Sequence, residues 1–201
     1  MVKVVSGFSM SLDGYIAGPD GDVGRLFDWY SSGDTEIKYP GGRVVVKVSP
    51  ASAELIQDLN RTIGAVVSGR RQFDSVGGWG GRHPMDVPVF VVTHTVPQEW
   101  VKEGSPFTFV TDGVESAIEQ AKAVAGDKNV GVDGANVAQQ AIKAGLVDEI
   151  FIDLVPVLLG KGIRYFDHLG VEPIELESTG VIEAPGVTHL KFRVIKKEKL
   201  T

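Results

Sequence analysis

Val130-Gly131-Val132-Asp133-Gly134-Ala135-Asn136-Val137-Ala138-Gln139-Gln140 sets an apolar, β-branched run against small residues and then a helical pattern. A strand that passes at once into a helix leaves the first N–H groups of that helix unpaired at the carboxyl edge of a sheet. Such an edge attracts phosphate, and residues without a bulky Cβ let the anion approach the backbone. Two readings stay open for the stretch alone: a phosphate-binding turn, or an ordinary strand-to-helix turn that uses glycine. Either way it defines a βα unit.

Working outward, the same alternation recurs. Strand-like runs fall at residues 2–10, 43–48, 65–68, 87–93, 107–110 and 150–154. Ser49-Pro50 opens a helix with a serine N-cap and a proline in its first turn. Leu55, Ile56, Leu59 and Ile63 then line one face. Asp112 and Glu115 form a capping pair for a second helix, whose stripe is Ala117, Ile118, Ala121 and Ala125. The helix after Asn136 stops at Gly145, suited to a left-handed C-cap. Leu190, Phe192 and Val194 alternate with Lys191 and Arg193, the period of a strand with one wet face. Its partner is residues 174–182, joined through residues 183–186. The βαβ rhythm predicts an α/β fold: a mixed, mostly parallel sheet with helices on both faces and a C-terminal antiparallel hairpin at one edge. Residues 18–42 and 77–88 read as long glycine-rich loops, and loops of that length are commonly functional.

Composition narrows the function. A chain of 201 residues suffices for one well-buried domain spanning 1–201, although length alone also permits two small ones. A net charge of -6 argues against general nucleic-acid binding. The absence of cysteine removes disulfides, thiolate catalysis and Cys-ligated zinc. The N-terminus reads as a strand and not a signal peptide, and no apolar run is long enough to span a bilayer, so the expected setting is the cytoplasm, without membrane contact.

Three strand exits carry candidate chemistry. Ser68-Gly69-Arg70-Arg71-Gln72 puts two guanidinium groups where they grip a phosphate monoester, unless they are a surface dibasic pair. Thr93-His94 ends another strand, and ligands of open α/β sheets lie outside such ends. Asp13 sits in an Asp-Gly turn, a shaping role in the first place and a catalytic one in the second. Asp28, between Phe27 and Trp29, is a carboxylate among aromatic rings, which favours its neutral form and suits a proton donor, unless Trp29 and Tyr30 are ordinary core. Phe27, Trp29 and Leu158 are the candidate substrate contacts. Residues 154–162 lack Walker spacing, and neither a serine-hydrolase elbow nor a His/carboxylate metal cluster is present, so no metal is expected.

The ordered set Ser11-Leu12-Asp13-Gly14-Tyr15-Ile16-Ala17, Gly69-Arg70-Arg71, Pro88-Val89-Phe90-Val91-Val92-Thr93-His94, Ala144-Gly145-Leu146-Val147-Asp148-Glu149-Ile150 and Pro156-Val157-Leu158-Leu159-Gly160-Lys161-Gly162 resembles the reductase domain of the bifunctional riboflavin-biosynthesis deaminase–reductases, a group similar in fold to dihydrofolate reductase. The resemblance covers nearly the whole chain. It implies a three-layer α/β/α sandwich, NADPH as cofactor and a homodimer. By position it implies Gly69, Arg70, Arg71 and Gln72 at the adenosine 2′-phosphate and Thr93 with His94 on the adenosine side. Val132, Asp133, Gly134, Ala135, Asn136 and Val137 would form the diphosphate turn, and Ile16 and Ala17 would flank the nicotinamide. Asp133 departs from the paired glycines usual there. With no cysteine to ligate zinc and no added length, these 201 residues are not expected to form a complete bifunctional enzyme. The expected function is NADPH-dependent hydride transfer to a small pteridine- or pyrimidine-like substrate, with an NADPH-binding protein that does not turn over as the alternative.

Overall fold

The computed structural model describes residues 1–196. Twelve strands run in chain order: β1 (Val4–Ser11), β2 (Tyr15–Ala17), β3 (Thr35–Lys38), β4 (Val45–Val48), β5 (Ile63–Gly69), β6 (Val89–Val92), β7 (Phe107–Val110), β8 (Asn129–Asp133), β9 (Glu149–Val155), β10 (Ile163–Arg164), β11 (Leu176–Ala184) and β12 (Val187–Val194). Four helices join them: α1 (Pro50–Thr62), α2 (Arg70–Ser75), α3 (Val114–Val124) and α4 (Ala135–Lys143). Eight strands form one sheet in the order β11-β12-β9-β1-β8-β5-β6-β7. All pairings from β9 to β7 are parallel, and β12 and β11 add two antiparallel strands at the β9 edge.

Burial explains the layers. Val4, Ala65, Val67, Val130, Val132, Ile150 and Ile152 point to one face, where they meet Ala117, Ile118 and Ala121 of α3 and Val137, Ala138 and Ala141 of α4. Val5, Ile63, Val66, Val89 and Val91 point to the other, around the wholly buried Phe73 of α2. α1 lies on this second side, over a satellite core of Leu26, Trp29, Ile37, Val46, Val48 and Ile56. The sandwich is the fold expected. Helices after neighbouring strands β5 and β8 leave to opposite faces, which opens a crevice outside their carboxyl ends.

Local signals mostly held. Ser49 Oγ accepts the Ser52 N–H at 3.2 Å, with Pro50 opening α1. Gly145 adopts φ 70°, its N–H reaching Ile142 O and that of Leu146 reaching Ala141 O, both at 3.0 Å. These are the paired bonds of a Schellman ending. The hairpin turns more tightly than expected, with Ala184 opposite Val187 and only Pro185-Gly186 between them.

Four readings are corrected. Residues 18–42 are not one loop: they hold a 3₁₀ segment, Gly24–Ser31, and strand β3. Accordingly β4 pairs with β3 in a separate ribbon and not with the main sheet. The first turn of α3 has no side-chain cap; Gly113, at φ 106°, replaces the Asp112–Glu115 pair. On α1, Leu55 and Leu59 are half-buried beside a cleft, and Ile63 belongs to β5.

Candidate active site

A cleft of about 1690 Å³ runs along the carboxyl ends of β8, β5 and β6 and down the α1 side of β1, β9 and β12. Its first half is built by turns. β5 ends at Gly69 and enters α2; β8 ends at Asp133 and enters α4 through Gly134. Gly134 has φ 92°, and a Cβ there would lie 3.3 Å from Gly69 N and Gln72 Cβ. Glycine thus lets the two turns touch. The first α4 bond recorded runs from Ala138 N to Gly134 O, so the N–H groups of Ala135, Asn136 and Val137 lie ahead of the helical ladder.

The two arginines divide their work. Arg70 Nε lies 2.7 Å from Asp74 Oδ1, and Nη1 reaches Thr95 O at 2.9 Å. It is therefore committed to holding α2 against the turn after β6. Arg71 is exposed on the cleft rim, with no hydrogen bond or ion pair among the described residues. Thr93 is buried and its Oγ1 donates to Thr95 O at 2.8 Å, while His94 is exposed beside it. Asp133 is half-buried at the floor, where desolvation pushes its carboxyl up to about 6 against the lowering bond from Gly134 N–H.

The second half is a pocket with aromatic walls. Phe27, Tyr30, Tyr39, Leu55, Leu59, Met85, His83 and Phe151 surround it. At its floor, Ser9 of β1, Asp153 of β9 and His189 of β12 stand in one row across three strands. Asp153 Oδ1 lies 2.7 Å from His189 Nδ1, and His189 Nε2 lies 2.8 Å from Ser52 Oγ. Ser49 Oγ donates to Ser52 Oγ at 3.0 Å. These are the residue types of a hydrolytic triad, yet Ser52 is wholly buried in the first turn of α1 and no substrate carbonyl can reach it. Burial first, then Tyr39 and Asp153, push the Tyr30 hydroxyl well above the usual range, so it stays a donor. Desolvation pushes His83 down to about 4, leaving it neutral; its Nδ1 accepts the Met85 N–H at 3.2 Å.

The structure brings together Ile16, Ala17, Phe27, Gly69, Arg70, Arg71, Gln72, Thr93, His94, Val132, Asp133, Gly134, Ala135, Asn136 and Val137 around this one cleft. It does not bring the others. Asp28 is exposed outside the cleft and pairs with Arg25 at 3.1 Å, so the expected packing of its carboxylate against rings is absent. Trp29 is core, its Nε1 donating to Ser9 Oγ at 3.1 Å. Leu158 is exposed and outside the lining. Asp13 takes the shaping role. The Ser11 hydroxyl (2.6 Å), Gly160 N–H (2.7 Å) and Leu159 N–H (3.1 Å) all donate to it and hold it at about 2.

Sequence reasoning missed Asp153, His189 and Tyr39. One signal was available: Asp153 interrupts an otherwise apolar strand core, and a charge there needs a partner. His189 shares its face of β12 with Lys191 and Arg193, which disguised it as part of a wet surface.

The fold and its cleft define an α/β protein of the dihydrofolate reductase-like type. Residues 2–190 match the RibD C-terminal domain family, and the chain belongs to that family. Among curated proteins it is similar to the uncharacterized protein YwjB of Bacillus subtilis (strain 168), 26% identical over 168 residues, 83% of this chain and 84% of that one. The fold matches that of a Shewanella sp. PV-4 protein whose name ties it provisionally to riboflavin biosynthesis, with TM-score 0.73, 24% identity, and coverage of 97% of this chain and all (100%) of that one. A pyrimidine reductase-like protein of Corynebacterium diphtheriae has TM-score 0.62 at 13% identity, covering 98% of this chain and 93% of its own. The Thermotoga maritima deaminase/5-amino-6-(5-phosphoribosylamino)uracil reductase has TM-score 0.60 at 15% identity; the match covers 96% of this chain and 57% of that longer one.

Proposed function

We propose that this protein is an NADPH-dependent reductase acting on a small pteridine- or pyrimidine-like heterocycle. The observation that carries the reading is the continuity of the cleft. Its volume, about 1690 Å³, exceeds the roughly 300–1,000 Å³ of a single small-ligand pocket. One half offers free helix N–H groups and an unpaired arginine; the other offers aromatic walls and a carboxylate. A dinucleotide and a second ring fit this division. Membership of the RibD C-terminal domain family, and neighbours named as pyrimidine reductases, support reductase chemistry.

Bound NADPH would supply the hydride; the chain's own task is to bind, orient and exclude water. Arg71 is the residue free to hold a 2′-phosphate, because Arg70 is occupied by Asp74 and Thr95. Ala135, Asn136 and Val137, whose N–H groups lie ahead of the α4 ladder, would hold the diphosphate, and Ile16 and Ala17 of β2 would flank the nicotinamide. A charge-assisted hydrogen bond from a guanidinium contributes roughly 1.5–3 kcal/mol. Arg71→Ala is therefore expected to weaken NADPH binding about 10- to 100-fold while leaving NADH nearly unchanged. Equal losses for the two nucleotides would remove Arg71 from that role.

The same reading takes the protein as a homodimer. Strand β11 is an edge whose side chains are mostly exposed, including Leu176, Val181 and Ile182. Uncovered edges of this kind invite pairing with a second chain.

A further inference from the structure

The aromatic pocket contains one carboxylate placed for recognition. Asp153 stands mid-strand on β9, between Ser9 and His189 in the same row. Its Oδ1 lies 2.7 Å from His189 Nδ1, and because a carboxylate oxygen only accepts, the imidazole Nδ1–H is the donor. Ser52 N–H donates to Ser49 Oγ, Ser49 O–H donates to Ser52 Oγ, and Ser52 Oγ lies 2.8 Å from His189 Nε2. Ser52 thus holds the far side of the imidazole while its Nδ1 donates to Asp153. Ser9 Oγ accepts from Trp29 Nε1 at 3.1 Å, and Trp29 packs edge-on to His189 with centroids 5.2 Å apart. The imidazole is thus clamped on three sides, and the carboxylate with it. No hydrogen bond to Oδ2 is found among the described residues. Phe27, Tyr30 and Tyr39 line the same pocket as Asp153.

A fixed carboxylate with an open oxygen accepts and cannot donate. A ring edge that presents two adjacent N–H groups can fill Oδ2 and the remaining lone pair of Oδ1, whereas an edge with a carbonyl beside its N–H sets oxygen against oxygen at one of them. We infer that Asp153, positioned by His189, Ser52 and Ser49, is the substrate anchor and selects heterocycles with a 2-amino-4-oxopyrimidine edge over their 2,4-dioxo counterparts. The inference rests on the reductase reading for the ring being the substrate. It departs from a ureide edge such as that of uracil, in which N3–H is flanked by two carbonyls.

Two commercially simple rings differ at this edge alone: pterin carries 2-amino-4-oxo groups, lumazine 2,4-dioxo groups. Both are fluorescent, so each can be titrated against the full chain by its own emission without turnover. Pterin is expected to bind about 10-fold or more tightly than lumazine, the scale of one charge-assisted bond. Asp153→Asn keeps the shape but offers an amide, and is expected to abolish the preference while leaving NADPH affinity unchanged. Equal binding of the two rings by the native chain overturns the proposal, as does no binding of either. A preference that survives Asp153→Asn also overturns it, because another group then reads the edge. Should that variant fail to fold, the native pterin-to-lumazine ratio still decides. The underlying reading fails separately: an Asp153-dependent preference for pterin in a chain that binds no NADPH keeps the anchor and discards the reductase.

Discussion

At the scale of the residue, Asp133 works against its surroundings. Desolvation at the cleft floor raises its carboxyl from the ordinary value of 3.8 to about 6. The unfolded chain therefore releases this proton at lower pH than the folded one. Stability falls as pH rises from about 4 to about 6, and the cost persists above that. Removing the charge reverses it: Asp133→Asn should leave melting unchanged below pH 4 and raise it at pH 7.5, by at most about 3 kcal/mol. A melting curve measured across that range checks the sign, and an identical pH dependence in the variant would refute it. Asp13 runs the other way. Held at about 2 chiefly by the Ser11 hydroxyl, it supports the fold above pH 4 and stops doing so as pH falls through 2. The position of Asp133 was legible in the sequence because a strand-to-helix turn announces itself in a contiguous stretch. Asp153 and His189 were not, being 36 positions apart and joined only by antiparallel strand register. Asp28 misled for a related reason. Neighbouring rings in sequence say nothing of which side of a 3₁₀ segment the carboxylate takes, and here it faces water.

At the scale of the element, the start of α1 is both a cap and part of the site. Ser49 accepts from Ser52 N–H and donates to Ser52 Oγ, the group that orients His189. Ser49→Ala should cost about 1 kcal/mol as a lost N-cap, seen as a lower urea midpoint with unchanged slope. No change in midpoint would mean that the bond is not formed in solution. Helices with local signatures were readable: Ser49-Pro50 for the start of α1, Gly145 for the end of α4, the apolar stripe for α3. The alternation in β12 located the hairpin as well. Residues 18–42 defeated the same approach because β3 pairs with β4 across a glycine-rich turn, and neither strand shows in isolation which sheet it joins. The α1 stripe mixed two roles: Ile56 enters the core, while Leu55 and Leu59 face the cleft. Periodicity marks an apolar face without telling core from ligand wall.

At the scale of the whole molecule, the chain alternation fixed the layers, and the ordered motifs pointed to the family that the match over residues 2–190 bears out. No helix among the described residues is long and apolar enough to cross a membrane. Association is the open property at this scale. With β11 as the covered edge, light scattering should give about twice the 21.5 kDa chain mass, and Val181→Lys with Ile182→Lys should return the monomer. A native monomer would dismiss the edge as an interface. The cleft itself depends on elements from both ends of the chain: β1 and β2 meet β9, β10 and β12 only in the folded state. The reductase role proposed for the cleft depends on its holding a phosphorylated nicotinamide nucleotide. Its most direct test is titration of the native protein with NADPH and, separately, NADH, followed by nicotinamide fluorescence. Saturable binding that favours NADPH by about 10-fold or more is the predicted result; binding of neither nucleotide would contradict it.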